Sequence, residues 1–70
     1  MGEKSLNEKR FLTVSEVSGI LRLSVLTIYK YIKEGKISAF DFGGHYRISD
    51  SSLEDFIQHH KVFRKEAQNE

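Results

Sequence analysis

The sequence predicts a mainly α-helical domain carrying one small β-hairpin. Three observations predict it: a length of 70 residues, which holds one domain and no more; three segments with apolar residues at helical spacing, each opened by a capping residue; and a glycine pair set between two short β-compatible runs.

Met1 to Arg10 are charged and polar around Leu6, and are expected to form a flexible N-terminal arm. Order is expected from Phe11 and Leu12. Thr13 is a good N-cap and Glu16, three residues on, completes a capping box, while Val17, Ile20 and Leu21 recur at helical spacing. The first helix is therefore expected over Val14 to Leu21. Arg22 and Leu23 break the pattern, and Ser24 offers a second N-cap before an apolar stripe of Ile28, Tyr31 and Ile32. The second helix is expected over Val25 to Glu34, with Gly35 as the left-handed residue that ends it. Lys30 and Lys33 fall in its last turns, where cations suit the helix dipole. Two short, separately capped helices joined by about three residues have the form of a helix-turn-helix.

From Lys36 to Phe42 the period changes, and His45 to Ile48 resumes it after Gly43-Gly44, the composition of a type I′ hairpin turn. A two-residue loop pairs Phe42 with His45, Asp41 with Tyr46, Phe40 with Arg47 and Ala39 with Ile48. Tyr46, Ile48 and Ala39 then share one face, and His45, Arg47, Phe40 and Phe42 the other. Asp50 or Ser51 is expected to cap a third helix over Ser51 to His60, Ser51 and Glu54 forming a second capping box. Leu53, Phe56, Ile57, His60 and Phe63 lie along one side of it. The domain is expected over 11–63, and Arg64 to Glu70 as a polar tail.

Composition excludes several classes. Hydrophobic residues at 39% and charged residues at 30% match ordinary globular usage. No run approaches the roughly 20 apolar residues of a membrane span, and Met1 to Arg10 lacks the apolar segment of a signal peptide, so a cytoplasmic location without membrane contact is expected. Without cysteine there is no disulfide framework and no thiolate metal site. Catalysis has little support: Glu54 and Asp55 are neighbours on a helix and point in different directions, and His59 and His60 fail as a metal pair for the same reason. Gly43-Gly44 lacks the Lys and Ser or Thr of a phosphate loop. No enzyme activity, cofactor or metal is expected.

The net charge of +1 conceals an uneven distribution. Arg22 to Ile48 carries five basic residues against two acidic ones, whereas Ser49 to Gln58 carries Asp50, Glu54 and Asp55 and no base. One basic face and one acidic face suit a polyanionic partner. In a helix-turn-helix the second helix enters the major groove of duplex DNA by its N-terminal residues, here Ser24, Val25, Leu26 and Thr27. Thr27 can hydrogen-bond a base or a phosphate, and Val25 or Leu26 can pack on a thymine methyl. Tyr29, Lys30 and Lys33 lie where hydroxyl and ammonium groups meet phosphates, and Arg47 projects from the hairpin with His45 near its tip.

Phe11-Leu12-Thr13-Val14-Ser15-Glu16-Val17, Leu23-Ser24, Thr27-Ile28-Tyr29, Gly35-Lys36-Ile37 and Gly43-Gly44-His45-Tyr46-Arg47-Ile48 together resemble the excisionase-family helix-turn-helix domain, related to the winged MerR-type module. The resemblance covers about Phe11 to Ile57. It implies a winged fold with the second helix in the major groove and the hairpin on the adjacent backbone. It further implies a role in transcription regulation or in DNA recombination beside a site-specific recombinase. Three departures stand out: Arg22 occupies a turn position often held by glycine, Val25 and Leu26 replace arginine or serine, and Asp41 and His45 occupy wing positions that are usually basic. A weaker electrostatic grip follows, strengthened where several copies bind together. The chain is expected to be a monomer in solution, having no long helix after the wing. The rival reading is a protein-interaction adaptor with Phe40, Phe42 and Phe63 as an apolar patch.

Overall fold

A computed structural model describes residues 10–62; the expected arm before Arg10, Phe63 and the tail lie outside the described residues. Chain order is β1 (Phe11–Leu12), α1 (Val14–Leu21), α2 (Val25–Lys33), β2 (Phe40–Phe42), β3 (His45–Ser49) and α3 (Asp50–His59). The three strands form one antiparallel sheet in the order β1-β3-β2.

Each helix begins where a short polar side chain meets a free N–H. Thr13 Oγ1 accepts the Glu16 N–H at 3.0 Å while Glu16 Oε1 accepts the Thr13 N–H at 2.9 Å, closing the expected capping box. Ser24 caps α2 by accepting the Thr27 N–H at 3.1 Å. α2 ends one residue earlier than expected, at Lys33, in a Schellman motif about Gly35 (φ +80°): the Gly35 N–H donates to the Ile32 carbonyl at 3.1 Å and the Lys36 N–H to the Tyr31 carbonyl at 2.8 Å. α1 closes instead on Arg22, which holds φ +59° and ψ +43° although it has a Cβ.

The third helix corrects the expected cap. Neither Asp50 nor Ser51 caps it, and no Ser51–Glu54 box forms; Ser49 does so, its Oγ accepting the Ser52 N–H at 3.1 Å, and the helix starts at Asp50. Strand β3 runs directly into the helix, so the last strand residue is the one with extended backbone at the helix start. The hairpin register is as expected for Phe40–Arg47, Asp41–Tyr46 and Phe42–His45, with positive φ at both Gly43 and Gly44. Ala39 does not pair with Ile48. That position is taken from the other side by Leu12, with Phe11 opposite Ser49, because β3 is the central strand.

The core gathers Val14 and Val17 of α1, Ile28 of α2, Ile37, Ile48 of β3, and Leu53 and Phe56 of α3. Around it pack Leu12, Leu21, Tyr31, Ile32, Ala39 and Tyr46. Two helix faces read from the spacing are only partly buried. Ile20 is 55% exposed, because α1 has only two turns and Val14 joins Val17 as its buried pair. Ile57 and His60 also lie at the surface, since Leu53 and Phe56 fill the contact; the His60 ring rests beside Phe56 with centroids 4.1 Å apart.

Candidate nucleic-acid interface

With Ile28 fully buried, the opposite side of α2 is turned to solvent. Leu26, Lys30 and Lys33 follow one another there at intervals of four and three residues, and so share a helix face. Leu26 is 79% exposed, and Val25 and Tyr29 are exposed beside it. Ser24 and Thr27 are nearby but committed to each other, with Ser24 Oγ and Thr27 Oγ1 2.9 Å apart. The seven α2 residues picked out in the sequence are therefore grouped on one short helix and its cap.

The cations around α2 differ in their surroundings. Lys30 Nζ lies 4.0 Å and Lys36 Nζ 3.4 Å from the Glu34 carboxylate, both in exposed pairs of the kind that contribute at most about 1 kcal/mol. Lys33 has no carboxylate partner among the described residues. Arg22 is exposed in the turn before α2.

The hairpin is joined to α2 through aromatic contact: the Tyr46 and Tyr29 rings lie 6.0 Å apart. Side chains alternate along β3, so Tyr46 and Ile48 face the helices while His45 and Arg47 lie on the other face. His45 is exposed at the tip. Arg47 is half-buried, its Nη1 donating to the Tyr46 carbonyl at 2.9 Å. Its pairing partner Phe40 belongs to a cluster with Phe11 and Phe42, whose centroids are 5.7 to 6.3 Å apart and whose rings are each about half exposed. Arg47 and the α2 residues thus sit on opposite sides of the sheet. Sequence reading found Phe40 and Phe42 but not Phe11, whose place in the cluster depends on a pairing with Ser49, 38 positions further along the chain.

Asp41 has a structural task that its charge does not reveal. Its Oδ1 accepts the Gly44 N–H at 2.7 Å and so braces the hairpin turn.

A cleft of about 270 Å³ between the α2–β2 connection and α3 brings Ser38, Ser52, Asp55 and His59 to one surface. They do not form a nucleophile relay. His59 Nδ1 bonds the Asp55 backbone carbonyl at 2.8 Å, Ser52 Oγ accepts from Ser49 Oγ at 3.0 Å, and no hydrogen bond joins either serine to His59. Among the described residues no three His, Cys, Asp or Glu side chains are grouped as metal ligands. No helix among them is long and apolar enough to cross a membrane.

Comparison with known proteins agrees with this architecture. The family described as "Helix-turn-helix domain" matches residues 11–61. The chain is 35% identical over 51 residues to "Uncharacterized protein YvgK" of Bacillus subtilis (strain 168), an alignment covering 73% of this chain and 17% of that protein. It is 29% identical over 49 residues to "Putative DNA-binding protein Rv0500A" of Mycobacterium tuberculosis (strain ATCC 25618 / H37Rv) and to its counterpart in strain CDC 1551 / Oshkosh, covering 70% of this chain and 63% of each. The chain thus spans about a sixth of the first relative and less than two thirds of the others. No solved structure matches it.

Proposed function

The chain belongs to the helix-turn-helix domain family, a non-enzymatic one, and from that premise we propose that it binds double-stranded DNA with α2 in the major groove and the hairpin as a wing on the adjacent backbone. The observation that carries this reading is the solvent-facing side of α2, where Leu26, Lys30 and Lys33 share a face with no part in the core. In this reading Ser24 to Thr27 lie nearest the bases, while Tyr29, Lys30 and Lys33 meet phosphates. His45 and Arg47 supply the wing contacts, and this requires the Arg47 guanidinium to leave the Tyr46 carbonyl and reach around the hairpin edge toward the side that α2 occupies. The name carried by the mycobacterial relatives supports DNA as the partner. The biological role is that of an excisionase-like recombination factor or a small transcription regulator. It acts in the cytoplasm at the nucleoid, alone or with further copies or a site-specific recombinase.

The test is binding to random-sequence duplex across a range of salt concentrations, followed by selection of preferred sites. Each phosphate contact should contribute about 0.9 to the slope of log affinity against log salt. No duplex binding at low salt would end the proposal. A second reading, a protein-interaction adaptor, is favoured by the half-exposed cluster of Phe11, Phe40 and Phe42. That interface would be nearly insensitive to salt and would be lost in Phe40→Ala while duplex binding persisted.

A further inference from the structure

The head of α2 offers two kinds of group to a duplex, and the polar kind is already engaged. Ser24 Oγ accepts the Thr27 N–H at 3.1 Å and lies 2.9 Å from Thr27 Oγ1, and Thr27 is half-buried. A base edge that recruited the Thr27 hydroxyl would compete with its contact to Ser24 Oγ, the oxygen that caps the helix. The apolar kind is free. Leu26 is 79% exposed and Val25 40%, and Ile20 of α1 and Leu23 of the turn are exposed as well, at 55% and 39%. The first turn of α2 contains no charged side chain, whereas Arg22 precedes it and Lys30 and Lys33 follow it. An aliphatic tip between flanking cations fits a polyanion that presents an apolar group inside its groove. In duplex DNA that group is the 5-methyl of a pyrimidine in the major groove.

Resting on the DNA-binding reading, we propose that α2 selects its site through pyrimidine 5-methyl groups, with Leu26 and Val25 packing on them. Ser24 and Thr27 serve as the helix cap and do not read bases. The ligand class is duplex DNA with thymine at the positions facing the first turn of α2; 5-methylcytosine presents the same group.

The experiment compares one selected duplex with copies in which single thymines are replaced by 2′-deoxyuridine, which removes the methyl and keeps every base pair. Burial of one CH₂-sized group predicts a loss of about fourfold in affinity at each contacted position. Leu26→Ala and Val25→Ala should fold normally, as a melting curve will check, and together should bring the two duplexes to equal affinity. Thr27→Ala should leave the ranking of sites unchanged. If the native chain binds thymine and uracil duplexes alike, the inference is overturned while DNA binding stands. Discrimination that survives in the Val25→Ala/Leu26→Ala double variant overturns it too, since the methyl would be read elsewhere. If no duplex of any sequence is bound at low salt, it is the DNA-binding reading that has failed.

Discussion

Ser18 and Leu23 hold each other through two hydrogen bonds of opposite sense: Ser18 Oγ donates to the Leu23 carbonyl at 2.6 Å, and the Ser18 carbonyl accepts the Leu23 N–H at 3.1 Å. The pair spans the turn between α1 and α2 and fixes the angle at which α2 leaves it. Ser18→Ala removes the side-chain half of this clamp. It should cost about 1 kcal/mol, a fall in melting temperature of roughly 4–8 °C for a domain of this size. Ser18→Thr, which keeps the hydroxyl, should retain most of the stability. An unchanged melting temperature in Ser18→Ala would mean that the backbone bond alone sets the turn.

Arg22 sits between those two residues with a left-handed backbone that side chains with a Cβ adopt at a cost of about 1–2 kcal/mol. Arg22→Gly relieves that cost and raises the entropy of the unfolded chain by about 0.5–1 kcal/mol, so a net gain of roughly 0.5–1 kcal/mol is expected by thermal or urea denaturation. Duplex affinity should fall at the same time, with a loss of about 0.9 in the salt slope for one phosphate contact. A variant that is more stable and binds as before would leave the residue without a role on DNA.

At the hairpin tip, charge and structure can be separated through Asp41. Asp41→Asn keeps an acceptor for the Gly44 N–H and removes a negative charge from the proposed wing. It should melt within a few degrees of the native chain and bind duplex more tightly, most clearly at low salt. Asp41→Ala loses the brace as well and should cost about 1 kcal/mol. Equal melting temperatures for the two variants would contradict the bracing role.

Tyr46 and Arg47 are adjacent yet face opposite ways, so their variants should differ in kind. Tyr46→Ala removes a ring packed on the core and beside Tyr29. A cost of about 1–3 kcal/mol is expected, less than for a fully buried aromatic. Arg47→Ala should leave the melting temperature nearly unchanged and lower affinity across unrelated duplexes, as befits a backbone contact. If Arg47→Ala unfolds the domain and Tyr46→Ala only weakens binding, the two have exchanged roles.

The parts of the fold legible in the sequence are those decided locally. Thr13, Glu16 and Ser24 announce their helices because a cap needs only a short polar side chain and the next three residues. Gly43-Gly44 sets the hairpin register because a two-residue loop leaves no freedom. The illegible parts depend on distant partners. Two residues, Phe11 and Leu12, have no periodicity to read, and they form a strand only because Ser49 and Ile48 offer a free edge. Ser49, Ser51 and Ser52 are equally good caps by type; which one serves is decided by where β3 ends. At the candidate interface the sequence could place seven of the proposed contact residues on one helix and its cap, but it could not show that Thr27 is turned to its own cap or that Arg47 lies across the sheet from α2.

Strand β3 passes into α3 with no connecting residue, and Ser49 is at once the last strand position, the partner of Phe11 and the cap of the helix. Chain length is therefore locked at this joint. One residue added between Ile48 and Asp50 would turn α3 by about 100° about its axis, carrying Leu53 and Phe56 away from the core, or else reverse the faces of β3. The exposed hairpin tip has no such constraint, since a longer loop there adds only a modest closure entropy. Natural variants of this domain should differ in length at Gly43-Gly44 and hold constant spacing from Tyr46 to Phe56.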